Sequence, residues 1–207
     1  MQFTAEEFYH VYNRGNNKQP IFFNTDNYLY FLKKVRRQIL PYSNILAYSL
    51  MPNHFHFLVQ VKELLAQQFR QIDIKEWVAR TGAIKIQTER HPLASSIGIL
   101  LSSYSQAVNK QNRTTGSLFQ QKTKAKHLDH LDIALQVFNY IHQNPLVGGL
   151  VSRMEDWPFS SFSDYAGLRA GTLCNQELAF ELFPFTKKNF YSQSYRLLER
   201  QEIRDIF

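Results

Sequence analysis

Two runs of β-compatible, largely apolar residues, Asn44 to Leu50 and His54 to Val61, stand only Met51-Pro52-Asn53 apart. So short a connection, with turn residues in it, makes the two runs antiparallel neighbours in a hairpin. Upstream, Phe8, His10 and Tyr12 alternate with Tyr9 and Val11, the period of a short strand from Phe8 to Tyr12. Asn13-Arg14-Gly15-Asn16-Asn17 then reads as a polar turn. Between that turn and the hairpin, Tyr28-Leu29, Leu32, Val35 and Ile39-Leu40 recur at helical spacing. Thr25 or Asp26 is the expected N-cap, Lys33, Lys34, Arg36 and Arg37 form the other face, and Pro41 is the stop.

Strand, helix and two antiparallel strands open a ferredoxin-like α+β fold, an antiparallel sheet with helices packed on it. Residues 62 to 92 carry weak periodicity, and a helix is expected only around Lys75–Ala79. Ile97, Leu100-Leu101, Tyr104 and Val108 predict a helix from Leu93 to Asn112. Ser117 to Leu128 reads as an extended segment in which Lys122, Lys124 and Lys126 share one face, the geometry of a phosphate track. Asp129 or Asp132 opens a further helix with Ile133, Leu135, Val137-Phe138 and Ile141 inward, and Asn144-Pro145 closes it. Asp156-Trp157-Pro158-Phe159-Ser160-Ser161-Phe162 is a compact aromatic turn suited to packing. The expected division is a domain over 1–165 and a C-terminal helical extension over 166–207, with helices near Glu177–Leu182 and Ser192–Arg204.

Lys plus Arg exceed Asp plus Glu by 24 to 17, and the net charge of +7 favours a polyanionic partner through counterion release. The 11 Tyr and 17 Phe can fill a core and can also stack on exposed bases. Cys174 is the only cysteine, so an internal disulfide is excluded and a reducing compartment is expected. The start, Met1 to Glu7, has no apolar run like that of a signal peptide, and no stretch is long enough to span a bilayer. The expected location is the cytoplasm, or the nucleoid of a bacterium.

His54 and His56, two apart in a strand, project from one face, where two neutral imidazoles can bind one divalent metal with a third ligand from elsewhere. Two imidazoles without partners in so apolar a strand would be costly. Tyr140 and Asn144 are i and i+4 on a helix, hence neighbours. A phenol there can attack a phosphorus atom, and the Asn144 oxygen can complete the metal shell. Tyr104 also lies on a helix but has Val108 at i+4, and Tyr9 and Tyr12 lie along the first strand. His142 falls about 200° around the helix from Tyr140 and is expected to be structural. Nothing converges on His127 and His130.

The blocks Tyr9-His10-Val11-Tyr12-Asn13-Arg14-Gly15, Ala47 to Val59, Gly116-Ser117-Leu118-Phe119-Gln120, Tyr140 to Pro145 and Asp156 to Ser161 follow one another in that order. In them the chain resembles the single-tyrosine HUH transposases of the IS200/IS605 type, and most closely their REP-associated branch. The resemblance spans about residues 8 to 165. It implies the HUH nuclease version of the ferredoxin-like fold, an Mg²⁺ or Mn²⁺ cofactor, and a monomer or homodimer. It also implies cleavage of single-stranded DNA beside hairpins through a 5′-phosphotyrosine intermediate. By motif, Tyr140 is the nucleophile, His54 and His56 are metal ligands, and Asn144 is the third. Phe119 and Gln121-Lys122 stand where the family often carries Trp and a Gly-Arg pair.

Arg14, Lys122, Lys124 and Lys126 are the expected DNA contacts, with Arg36 and Arg37 next. Three other activities predict different outcomes. A hairpin-DNA binder that no longer cuts would bind without metal-dependent cleavage. A metal phosphoesterase using water would release products free of protein. A ferredoxin-like RNA-binding domain would present paired aromatics on its sheet and survive His54→Ala.

Overall fold

The computed structural model describes residues 1–64 and 91–195. The helix expected at Lys75–Ala79 and most of the one expected at Ser192–Arg204 lie outside the described residues. Four strands, β1 (Phe8–Arg14), β2 (Ser43–Met51), β3 (His54–Val61) and β4 (Lys124–Leu128), form one sheet in the order β2-β3-β1-β4. Every neighbouring pair is antiparallel. With α1 (Thr25–Gln38) and α2 (Leu93–Asn112), the chain order is βαββαβ, the ferredoxin-like arrangement. A third long helix, α3 (Leu131–Val147), follows.

The strand period sorts side chains onto two faces. Val11, Phe55, Phe57 and Val59 line one face together with Ile39 and with Leu93, Ile97 and Leu100 of α2. Phe31 of α1 lies 5.4 Å from the Phe55 ring on that same face. The opposite face carries His10, Tyr12 and Arg14 of β1, His54 and His56 of β3, and Lys124 and Lys126 of β4. Helix α3 packs on this second face, and the functional candidates lie between the two.

Several boundaries differ from the sequence reading. β1 continues to Arg14, because Asn13 and Arg14 pair with Phe55 and His54 instead of turning. The turn comes at Gly15, whose N–H donates to Asn53 O and where a Cβ would lie 2.1 Å from Gln19 O. No larger residue fits there without moving backbone. Helix α1 is capped one residue earlier than expected, with the Asn24 side chain accepting from Asn27 N. It ends at Gln38, before Pro41.

Pro145 does not close α3. The helix runs on to Val147, and Gly148 N donates to Asn144 O. A proline this near the end removes one ladder donor and leaves the remaining turn intact. His130 holds the N-cap position of α3, and Asp132 falls in the first turn, where its charge complements the helix dipole.

β4 is shorter than the extended segment expected from Ser117. Lys122 precedes it in a left-handed conformation, φ 65°, so only Lys124 and Lys126 share the strand face. Strand β2 is an edge strand whose residues are nearly all buried, and residues 157–175 cover it. Leu50 N donates to Phe159 O, Ser161 N to Tyr48 O, Asn175 N to Ile45 O, and Trp157 Nε1 to Leu50 O. The aromatic turn is thus packing, as its composition suggested, and it removes an exposed edge. Short helices α4 (Phe162–Tyr165), α5 (Gln176–Leu182) and α6 (Phe190–Ser194) follow. Phe183, Phe185 and Phe190 join the main core against Phe138 of α3. Among the described residues, no helix is long and apolar enough to cross a membrane.

Candidate metal and tyrosine site

β3 presents His54 and His56 from one face, with ring centroids 5.0 Å apart and nearly perpendicular planes. α3 brings Tyr140 and Asn144 over them. The Tyr140 ring lies edge-on to His56 at 5.4 Å, and Asn144 Oδ1 is 3.3 Å from His54 Nε2. The four residues singled out for chemistry therefore meet, although Tyr140 and His56 are far apart in sequence. Because α3 continues past Pro145, Asn144 keeps its helical i+4 relation to Tyr140.

Hydrogen bonds assign much of the protonation. Asn53 Nδ2 donates to Lys18 O, which turns Asn53 Oδ1 toward His54 Nδ1 at 2.6 Å. An amide oxygen only accepts, and Asn144 Oδ1 faces Nε2 at the longer distance of 3.3 Å, so the shorter contact favours the proton on Nδ1. Burial first, then the nearby Arg14 guanidinium, lower the His54 pKa to about 4, so the ring is neutral near pH 7. With the proton on Nδ1, Nε2 and Asn144 Oδ1 face each other as two acceptors. The Asn144 amide also favours the phenolate form of Tyr140, against the larger effect of burial.

In that tautomer, the two acceptors 3.3 Å apart suit a shared cation about 2.1 Å from each. His56 Nδ1 is engaged by His10 Nε2 at 2.8 Å, so a metal would meet this imidazole at Nε2. His54, His56 and Asn144 therefore fit a divalent ion with a mixed imidazole and amide-oxygen shell. Among the described residues, no cluster of three His, Cys, Asp or Glu side chains could hold a metal ion.

Burial dominates the electrostatics. It holds His56 well below the usual imidazole range and lowers His10 to about 3, with the Lys126 ammonium adding to the His10 shift. Burial also pushes the Tyr140 phenol well up, while Asn144 and Arg14 oppose that shift.

Arg14, opposite His54 in the register, is the expected DNA contact that stands at the site. Lys124 and Lys126 lie opposite Tyr12 and His10 on the same face, while Lys122 is outside the strand. Arg36 is turned elsewhere, donating to Thr172 O and Oγ1. His127 pairs with Glu7 at 2.8 Å, and His130 is exposed, so neither joins the metal candidates. His142 is buried and structural, 2.7 Å from Ser161 Oγ.

Two residues that the sequence reading placed on the first strand but not at the site stand beside His56. His10 bonds to His56 and meets Tyr140 edge-on at 6.2 Å, and Tyr12 stacks on His56 at 5.7 Å. The alternation of His10, Tyr12 and Arg14 along β1 was the signal that placed them on one face.

Comparison with known proteins returns no matching family model and no matching curated sequence. Among solved structures, the chain resembles a REP-associated tyrosine transposase bound to a REP hairpin. That match has a TM-score of 0.56 at 16% identity, covering 96% of this chain and 97% of that one. At this identity the likeness is one of fold, and it covers the antiparallel sheet and its helices together. A bacterial tRNA(His) guanylyltransferase-like protein in complex with GTP also matches, at a TM-score of 0.41 and 10% identity, over 70% of this chain and 64% of that one.

Proposed function

We propose that this protein is a metal-dependent single-strand DNA endonuclease and strand-transferase of the transposase type, acting beside DNA hairpins. The observation that carries this reading is the convergence of Tyr140, His54, His56 and Asn144 on one sheet face, with Arg14 at its rim. The transposase-like fold and the net charge of +7 support a DNA substrate.

His54 and His56 would hold Mg²⁺ or Mn²⁺ through their Nε2 atoms, with the Asn144 oxygen as third protein ligand. A bound divalent ion supplies charge stabilisation at a non-bridging phosphate oxygen. Tyr140 is the nucleophile. Its oxygen forms a bond to phosphorus while the phosphorus–O3′ bond breaks, and the phenolic proton ends on the departing 3′-oxygen. The products are a 5′-phosphotyrosine and a free 3′-OH, and attack by a 3′-OH reverses the step. No bond energy is lost to water, so joining needs no nucleotide. Asn144 links the two halves of the site, its oxygen toward the metal position and its NH₂ toward the phenol.

A labelled hairpin-bearing single strand incubated with Mn²⁺ is expected to give a covalent protein–DNA adduct. Tyr140→Phe should reduce it by at least about 10⁴-fold, the scale on which removing a nucleophile acts, and still bind the hairpin. An adduct that survives in Tyr140→Phe rules out this nucleophile. A second reading, a hairpin binder that does not cut, is favoured by the burial that pushes the Tyr140 phenol away from phenolate. Tight, metal-independent hairpin binding with no adduct in Mn²⁺ would select it.

A further inference from the structure

We infer that His10 is a positioning residue that holds His56 in the tautomer able to bind a metal. The inference rests on the metal reading of the site proposed above.

His10 is fully buried on β1, on the face that carries the site. Tyr12 packs against its ring at 4.6 Å and Tyr140 meets it edge-on at 6.2 Å, so the imidazole is fixed on two sides. Its Nε2 lies 2.8 Å from His56 Nδ1, and the two rings are stacked with centroids 5.0 Å apart.

A hydrogen bond between two neutral imidazoles has two senses. If His10 Nε2–H donates, the His56 proton sits on Nε2 and blocks that nitrogen. If His56 Nδ1–H donates, His56 Nε2 carries the lone pair that a metal requires. Only the second sense makes His56 a ligand. His54 meets the same requirement when its proton lies on Nδ1, toward the nearer amide oxygen, Asn53 Oδ1 at 2.6 Å. Both candidate ligands thus have Nδ1 engaged from outside, one by an amide oxygen and one by an imidazole. Outer partners of this kind orient a ligand and raise its basicity. His10 does so without adding negative charge beside the phosphate, as a carboxylate in its place would.

The test compares wild type, His10→Phe, which removes the acceptor, and His10→Gln, which keeps one. Mn²⁺ affinity is measured without DNA from the paramagnetic resonance signal of the free ion. His10→Phe should bind Mn²⁺ about 10–100-fold more weakly, and His10→Gln should recover most of the loss. Histidine ¹⁵N spectra of wild type saturated with Mg²⁺ should place the His56 proton on Nδ1. Unchanged Mn²⁺ affinity in His10→Phe, or a His56 proton on Nε2, overturns the inference. If His10→Phe fails to fold, the wild-type spectrum and His10→Gln decide the matter. A wild type that binds no Mn²⁺ overturns the metal reading and His10's role with it. A wild type that binds Mn²⁺ beside an equally tight His10→Phe overturns His10 alone.

Discussion

The Tyr140 phenol sits between opposing influences. Burial disfavours its ionised form, whereas the Asn144 amide and the Arg14 guanidinium favour it. Desolvation is the larger effect, so the protein alone keeps the phenol protonated. Two residues along the helix, His142 shows the same physics in a structural role. Ser161 Oγ accepts from Tyr48 N and shares a 2.7 Å hydrogen bond with His142 Nε2. The bond ties α3 to the segment covering β2. Burial lowers the His142 pKa to about 3, against an ordinary value of 6.5. The unfolded chain therefore binds the proton first as pH falls. The contribution of His142 to stability is present above pH 6.5 and is lost progressively as the pH falls from 6.5 toward about 3. His142→Phe should cost about 1 kcal/mol at pH 7 through the lost hydrogen bond. It should then lose less stability than wild type between pH 7 and pH 5, as read by denaturant unfolding at both pH values.

Among the elements, α3 and β4 decide what the site can touch. α3 carries Tyr140 and Asn144 one turn apart, and its continuation through Pro145 keeps that turn regular. β4 is an edge strand beside β1, and its Lys124 and Lys126 extend the site face outward from Tyr12 and His10. Two cations there form a shorter track than three evenly spaced ones. Replacing both Lys124 and Lys126 by Ala should weaken hairpin binding across sequences alike. It should also flatten the slope of log affinity against log salt by about 0.7–0.9 per lysine. Lys122→Ala, outside the strand, should change that slope less. Equal effects from all three would argue against this use of the sheet face.

Across the whole molecule, the segment after α3 completes the fold. Residues 157–175 cover the β2 edge, and Asp164 and Arg169 lock that cover in place. The Asp164 carboxylate is 1% exposed and pairs with Arg169 at 2.5 Å, while Arg169 also donates to Pro158 O and Ser160 O. Gly171 passes so close that a Cβ would lie 2.3 Å from the Asp164 carboxylate. Arg169→Ala would leave a buried carboxylate without its partner, a loss on the order of 3 kcal/mol. A lower melting temperature with unchanged Mn²⁺ affinity in the surviving folded protein is the expected result. Loss of metal affinity without loss of stability would show that the cover acts on the site directly.

Periodicity and turn chemistry were enough to derive the ferredoxin-like order of elements, because strand alternation and helical spacing are local properties. His54-Phe55-His56 and the Tyr140–Asn144 pair were legible for the same reason, since each pair shares one face of one element. The N-cap at Asn24, the run of α3 through Pro145 and the short β4 were less legible. Neighbouring residues competed for the cap, the proline stood near enough to the helix end to be tolerated, and Lys122 left the strand for a left-handed turn. How the elements meet was decided by tertiary packing alone. The register of β1 against β3 brings His10 and Tyr12 beside His56, and α3 closes over that face. No local pattern encodes a bond across 46 residues, because it exists only once sheet pairing has brought His10 to His56.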